Sequence, residues 1–192
     1  MKSRDELHAY WSNPEPKNAP AMYINHEYRT KYLVGLVGKY ANPKSSFMEL
    51  GCNVGRNLHG LWKAGYHGIS GIEINEKAIE LMRETYPDMG ASIYVGQLEH
   101  EVGETLYRYD FVFSMCVLMH VHPDSEFIFA DIAKMAKKYI ITIEDEVKET
   151  WRHCPRNYKD VFEPFGFKQV FEEHVPWGEN GVTARVLKSR VD

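Results

Sequence analysis

Apolar positions alternate along the chain between short continuous runs and stripes at helical spacing. Ser46–Leu50 is a short apolar run, and Leu58, Leu61 and Trp62 follow it at helical spacing. Gly68–Ile74 reads as a second strand, followed by a helix carrying Ile79, Met82 and Tyr86 on one face. A weaker strand lies at Ala91–Val95. Tyr109–Ser114 is a strong strand, Ile128, Ile132 and Met135 mark the helix after it, and Tyr139–Ile143 is a further buried strand. Strands buried on both faces alternating with amphipathic helices predict a parallel sheet covered on both sides. Upstream, residues 25–40 carry a helical stripe at Arg29, Leu33, Leu36, Val37 and Tyr40, closed by the breaker Asn42-Pro43.

The two ends depart from this rhythm. Residues 1–24 hold three prolines and the adjacent aromatics Tyr10 and Trp11 with little periodicity, and read as an irregular arm. At the other end, Phe167–Glu172 and Val182–Lys188 are strand-like runs joined by a loop with Pro176, Gly178 and Asn180-Gly181. No helix fits between them, so they predict an antiparallel hairpin on the sheet edge. The expectation is one α/β domain over residues 1–192: a doubly wound, mostly parallel seven-stranded sheet with a C-terminal edge hairpin.

Composition narrows the class. With 44% hydrophobic and 26% charged residues the chain has a globular balance. A net charge of −4 disfavours extended contact with a nucleic-acid backbone. No stretch approaches the roughly 20 apolar residues of a membrane span, and the opening lacks a signal-peptide core, so no membrane partner is expected. Cys52, Cys116 and Cys154 are odd in number and far apart, which suits a reducing cytoplasm. Oligomeric state is not set by these patterns.

The sharpest motif is Glu49-Leu50-Gly51-Cys52-Asn53-Val54-Gly55-Arg56-Asn57, which follows a strand and opens a helix. Open sheets bind ligands at this edge. Gly51 and Gly55 let a ligand approach closely. A dinucleotide loop has the form G-x-G-x-x-G and presents amides to a pyrophosphate. Here the spacing differs and a carboxylate precedes the first glycine by two, which suits the ammonium of a methionine moiety better than a phosphate. This stretch resembles the first motif of the class I S-adenosylmethionine-dependent methyltransferases. That resemblance implies a methyltransferase fold, S-adenosylmethionine as cofactor and S-adenosylhomocysteine as product. It implies that Glu49, Gly51, Asn53, Gly55 and Asn57 surround the methionine part. Asn53 stands where a glycine is usual, and its side chain adds a hydrogen-bonding group. Glu73, at the end of the second strand, matches the family's ribose-binding acid, with Ile74 on the adenine face. Gln97 and Leu98 follow the third strand near the adenine, although Gln97 departs from the family's acid. Ser114 and Met115 fall beside the methionine moiety, and Arg29 falls where relatives offer a cation to the cofactor's carboxylate. Arg29 reads equally well as a surface arginine.

Methyl transfer requires an aligned nucleophile and sometimes a base. His120, after the fourth strand, is the first candidate and His122 the second, because histidine titrates near neutrality. His120 reads also as a packing or cofactor-side residue. His120, His122 and Asp124 make a weak metal set, and no metal is expected. Trp11 and Tyr23, with Tyr10, predict an aromatic lid in the arm, which reads equally as an arm packed on the helix layer. Beyond strand five, Glu144-Asp145-Glu146 would suit an amine, and Arg152 and Arg156 a carboxylate or phosphate; both patches read also as solvated charge. Trp11, Tyr23 and Arg152 are the substrate-binding candidates.

The leading expectation is a small-molecule methyltransferase, with oxygen acceptors slightly preferred over nitrogen. The alternatives are methylation of RNA or protein, a cofactor-binding protein without turnover, and a nucleotide-dependent dehydrogenase.

Overall fold

The computed structural model describes residues 2–175, 177 and 181–191. Seven strands form one sheet in the order β3-β2-β1-β4-β5-β7-β6. They are β1 (Ser46–Leu50), β2 (Gly68–Glu73), β3 (Ser92–Val95), β4 (Tyr109–Met115), β5 (Ala136–Asp145), β6 (Phe167–His174) and β7 (Val182–Ser189). The helices are α1 (Arg4–Ser12), α2 (Glu27–Val37), α3 (Arg56–Lys63), α4 (Glu76–Thr85), α5 (Leu98–Glu104), α6 (Ile128–Met135) and α7 (Tyr158–Phe162). None among the described residues is long and apolar enough to cross a membrane.

The first five strands pair in parallel, and β1 is flanked by β2 on one side and β4 on the other. Connections therefore run outward in opposite directions from β1 and β4, which opens a crevice beyond their carboxyl ends. Phe111 and Phe113 of β4 pack with Leu33 of α2 and Leu58 and Leu61 of α3 on one face. Val112 packs with Phe129 and Ile132 of α6 and Phe162 of α7 on the other. The strand alternation of side chains thus feeds two helix layers.

The hairpin joins differently from a simple edge addition. β7 pairs antiparallel with β5 and also with β6, so the last strand lies inside and β6 takes the edge. Six of its eight residues, Val182 to Leu187, are buried. Arg185 grips the neighbours: Nε and Nη2 donate to the two Glu146 carboxylate oxygens at 2.8 and 2.7 Å, and Nη1 donates to Glu172 at 2.6 Å. Pro176, Gly178 and Asn180 of the expected turn lie outside the described residues.

Two expectations need correction. Residues 4–12 of the arm are helical, started by a capping box. Glu6 N–H donates to Ser3 Oγ at 3.3 Å, and Ser3 N–H to Glu6 Oε2 at 2.9 Å. Only Leu7 of this helix is buried, so no apolar stripe announced it. In α2 the inward residues are Thr30, Leu33, Leu36 and Val37; Arg29 stands half-exposed and the helix stops before Tyr40.

Candidate active site

The turn from β1 into α3 is built from left-handed residues. Gly51, Asn53 and Gly55 have φ of 68°, 47° and 68°. A side chain at Gly51 would place Cβ 2.6 Å from both Val117 methyls, and one at Gly55 would collide with Met82 Sδ. Asn53 tolerates this region because its Oδ1 accepts the Val54 N–H at 2.8 Å, closing the turn locally.

Two buried carboxylates flank this turn. Glu49, 2% exposed at the end of β1, accepts Asn57 Nδ2–H at 2.7 Å through Oε1, while its buried Oε2 has no hydrogen-bond partner among the described residues. Asn57 Oδ1 in turn accepts from the Thr30 hydroxyl at 2.9 Å and Arg56 Nη2 at 3.1 Å. Burial pushes the Glu49 carboxyl up to about 8, with Asn57 and Arg56 opposing. An uncompensated acid of this kind fits a cationic guest. Glu73 accepts Asn53 N–H at 2.7 Å and Asn75 N–H at 2.9 Å, one on each oxygen. Each oxygen keeps a lone pair, the arrangement that two ribose hydroxyls require. Burial raises its pKa also.

A cleft of about 350 Å³ opens over these groups at the carboxyl edge, and Glu49, Glu73, Trp11, His120 and Arg152 all line it. The loop after β4 forms one wall, and Glu144 shapes it from below. This fully buried acid accepts the Ser114 hydroxyl at 2.7 Å and the N–H groups of Val117, Leu118 and Met119 at 3.1–3.2 Å. Burial pushes it up to about 7 despite those donors. Cys116 takes φ of 58° in the bend.

His120 follows that bend. Its Nδ1–H donates to the Arg152 carbonyl at 2.9 Å, which leaves Nε2 as the acceptor. Burial drives this imidazole down to about 3, so the ring is neutral at physiological pH. Trp11 packs on it with ring centroids 4.5 Å apart, and His153 lies 4.9 Å away. The Arg152 guanidinium lies over Tyr10, Trp11 and Trp151 at 5.7, 5.4 and 5.5 Å from their centroids.

Residues 48–139 match the family model described as a methyltransferase domain. The chain carries a methyltransferase-domain match on the class I methyltransferase fold. Its fold is shared by magnesium protoporphyrin IX methyltransferase from Synechocystis PCC 6803, solved with bound SAM, at a TM-score of 0.77 and 14% identity over 98% of both chains. A protein from Pyrococcus horikoshii OT3 matches at 0.70 and 16% identity over 94% of this chain and 97% of that one. A SAM-dependent methyltransferase from Methanosarcina mazei matches at 0.64 and 16% identity, over 82% and 98%. No curated protein sequence matches the chain.

Among the residues singled out by sequence, the fold brings Glu49, Gly51, Asn53, Asn57, Glu73 and Ile74 to the cleft. It also brings Leu98, Met115, His120, Trp11, Tyr23, Arg29 and Arg152 there. Four others stand elsewhere. Gly55 supports the turn against Met82. Gln97 is exposed at the start of α5, outside the cleft lining. Ser114 is spent on Glu144. His122 accepts Asp124 N–H at 3.1 Å and closes a turn. The three acids at the end of β5 lie outside the cleft lining: Glu144 and Glu146 are committed as above, and Asp145 accepts the N–H groups of Val147 and Lys148. Arg156 is likewise structural, bonded to Glu126 and to the Cys154 and Val121 carbonyls. Among the described residues no cluster of three ligating side chains could hold a metal.

Sequence reasoning missed Arg56, Val117 and His153 as lining residues, and His8 and Glu99. Arg56 was visible inside the motif. The His8–Glu99 contact at 3.1 Å ties α1 to α5 across 91 residues, and no local pattern signals it.

Proposed function

We propose that this enzyme transfers a methyl group from S-adenosylmethionine to a small-molecule acceptor, with an oxygen nucleophile preferred. The observation that carries the cofactor is the pair of buried strand-end carboxylates, Glu49 with an unpartnered oxygen and Glu73 with two available lone pairs. They suit a cationic methionine end and a ribose respectively. When bound, the cofactor supplies an electrophilic methyl carbon on a sulfonium.

The chain's residues do the rest. Glu49 balances positive charge beneath the turn, and Glu73 fixes the sugar. The arm, through Trp11 on His120, lids the acceptor end and limits water there. His120 Nε2 accepts a hydrogen bond from the acceptor hydroxyl and takes its proton late. An imidazole titrating near 3 removes only a proton that bond formation has already made acidic. The small volume of the cleft and the net charge of −4 support a small acceptor over RNA or a protein surface.

Calorimetric titration with S-adenosylmethionine, with NAD as control, tests the cofactor, and a radiolabelled methyl-transfer screen across small hydroxylated acceptors, RNA and protein tests the acceptor. Saturable binding of the former alone and label on a small molecule are expected. NAD binding, or label on RNA or protein only, overturns the reading.

A further inference from the structure

The cofactor accounts for the Glu49–Glu73 end of the cleft and leaves a second end unassigned. There Arg152 lines the cleft beside His120 and His153. This side chain is half-buried and clamped among three aromatic rings. Its recorded hydrogen bond is Nη1 to Tyr10 Oη at 3.3 Å, and among the described residues it forms no ion pair. The Nε and Nη2 edge, the fork that matches two coplanar oxygens, is thus without a partner there. Next to it, the Nδ1 of His153 is buried and has no hydrogen-bond partner among the described residues. Arg152 therefore contributes twice: its carbonyl sets the His120 tautomer, and its side chain offers a held cation beside that ring.

A half-buried cation immobilised by stacking and left without an acid presents a preorganised fork to an anionic ligand. Resting on the proposed reading of the enzyme, we infer that the methyl acceptor carries a carboxylate, gripped by Arg152, which places the nucleophile beside His120. A carboxylate fits better than a phosphate monoester because its two oxygens and single charge match one guanidinium fork. Of the other cleft-lining arginines, Arg56 donates to Thr30, Asn57 and the Tyr23 carbonyl beneath the turn, and Arg29 donates to the Tyr28 hydroxyl at 3.2 Å.

The test is equilibrium binding of benzoate, benzamide and phenyl phosphate to the full chain saturated with S-adenosylhomocysteine. The readout is tryptophan fluorescence, since Trp11 and Trp151 both stack on Arg152. Benzoate is expected to bind saturably and at least tenfold tighter than benzamide. Arg152→Gln is expected to abolish that preference while leaving S-adenosylhomocysteine affinity unchanged, and Arg152→Lys to retain part of it. The inference is overturned by equal binding of benzoate and benzamide, by a preference for phenyl phosphate, by unchanged benzoate binding in Arg152→Gln, or by no benzoate binding. The comparison of the three probes on the unmodified protein stands even if a variant misfolds. If S-adenosylhomocysteine itself does not bind, the cofactor reading fails instead, before any probe is added.

Discussion

Glu49 concentrates the electrostatics of the site in one carboxyl group. Its proton is held in the free protein up to about pH 8 because burial disfavours the charge. The unfolded group titrates near 4.5, so the free protein loses stability as pH rises from there through 8. Glu49→Gln removes this loss, and thermal unfolding is expected to show the variant more stable than wild type at pH 9 and nearly equal at pH 5. A cationic donor favours the charged carboxylate, so binding at pH 7 releases a proton, measured as binding heat that varies with buffer ionisation. The variant is expected to lose that release and about tenfold in S-adenosylmethionine affinity, about 1.4 kcal/mol. At Asn53, where φ is positive, Asn53→Ala loses the Val54 contact and strains the turn, at a cost of about 1–2 kcal/mol in chemical denaturation. Asn53→Gly is expected to cost less. Glu49 and Glu73 were legible because a carboxylate closing an apolar run is conspicuous. Glu144 and Arg152 look alike as loop charges, and only tertiary packing separates a buried scaffold acid from a cleft-lining cation.

At the scale of elements, the strands were readable to within a few residues, since strands buried on both faces are continuous apolar runs. Helix α1 escaped because it buries one residue and its start is signalled only by Ser3 and Glu6. Ser3→Ala is expected to cost about 1 kcal/mol of helix stability. Amide exchange is expected to speed up in residues 4–12 and not in β1 or β4. The hairpin anchor makes a stronger prediction. Glu146→Ala leaves Arg185, whose side chain is 6% exposed, without its bidentate partner. A loss of about 2–3 kcal/mol in urea unfolding is expected, because Glu172 still pairs with Arg185. A loss below 1 kcal/mol would remove the anchor role.

Over the whole molecule, the crevice position follows from strand order, because β1 and β4 are neighbours whose connections diverge. The alternation of runs and stripes predicted that arrangement. The way the lining is recruited was not predictable, since α1, the β4 loop and the segment after β5 reach it from distant parts of the chain. Exchanging residues 1–24 for the arm of a protein that shares this fold is expected to change acceptor affinity while S-adenosylhomocysteine affinity stays within about twofold, less than 0.5 kcal/mol. Parallel loss of both would show that the arm belongs to the cofactor site.

The interior placement of β7 has a consequence for biosynthesis. β6 leaves the ribosome before β7, yet β7 is the strand through which it joins the sheet. Until the last strand arrives, β6 has no ladder and β5 keeps an open, apolar edge. A nascent chain arrested near residue 175 should therefore be sticky and protease-sensitive at this end while the first five strands are already paired. Sheet completion thus waits for β7.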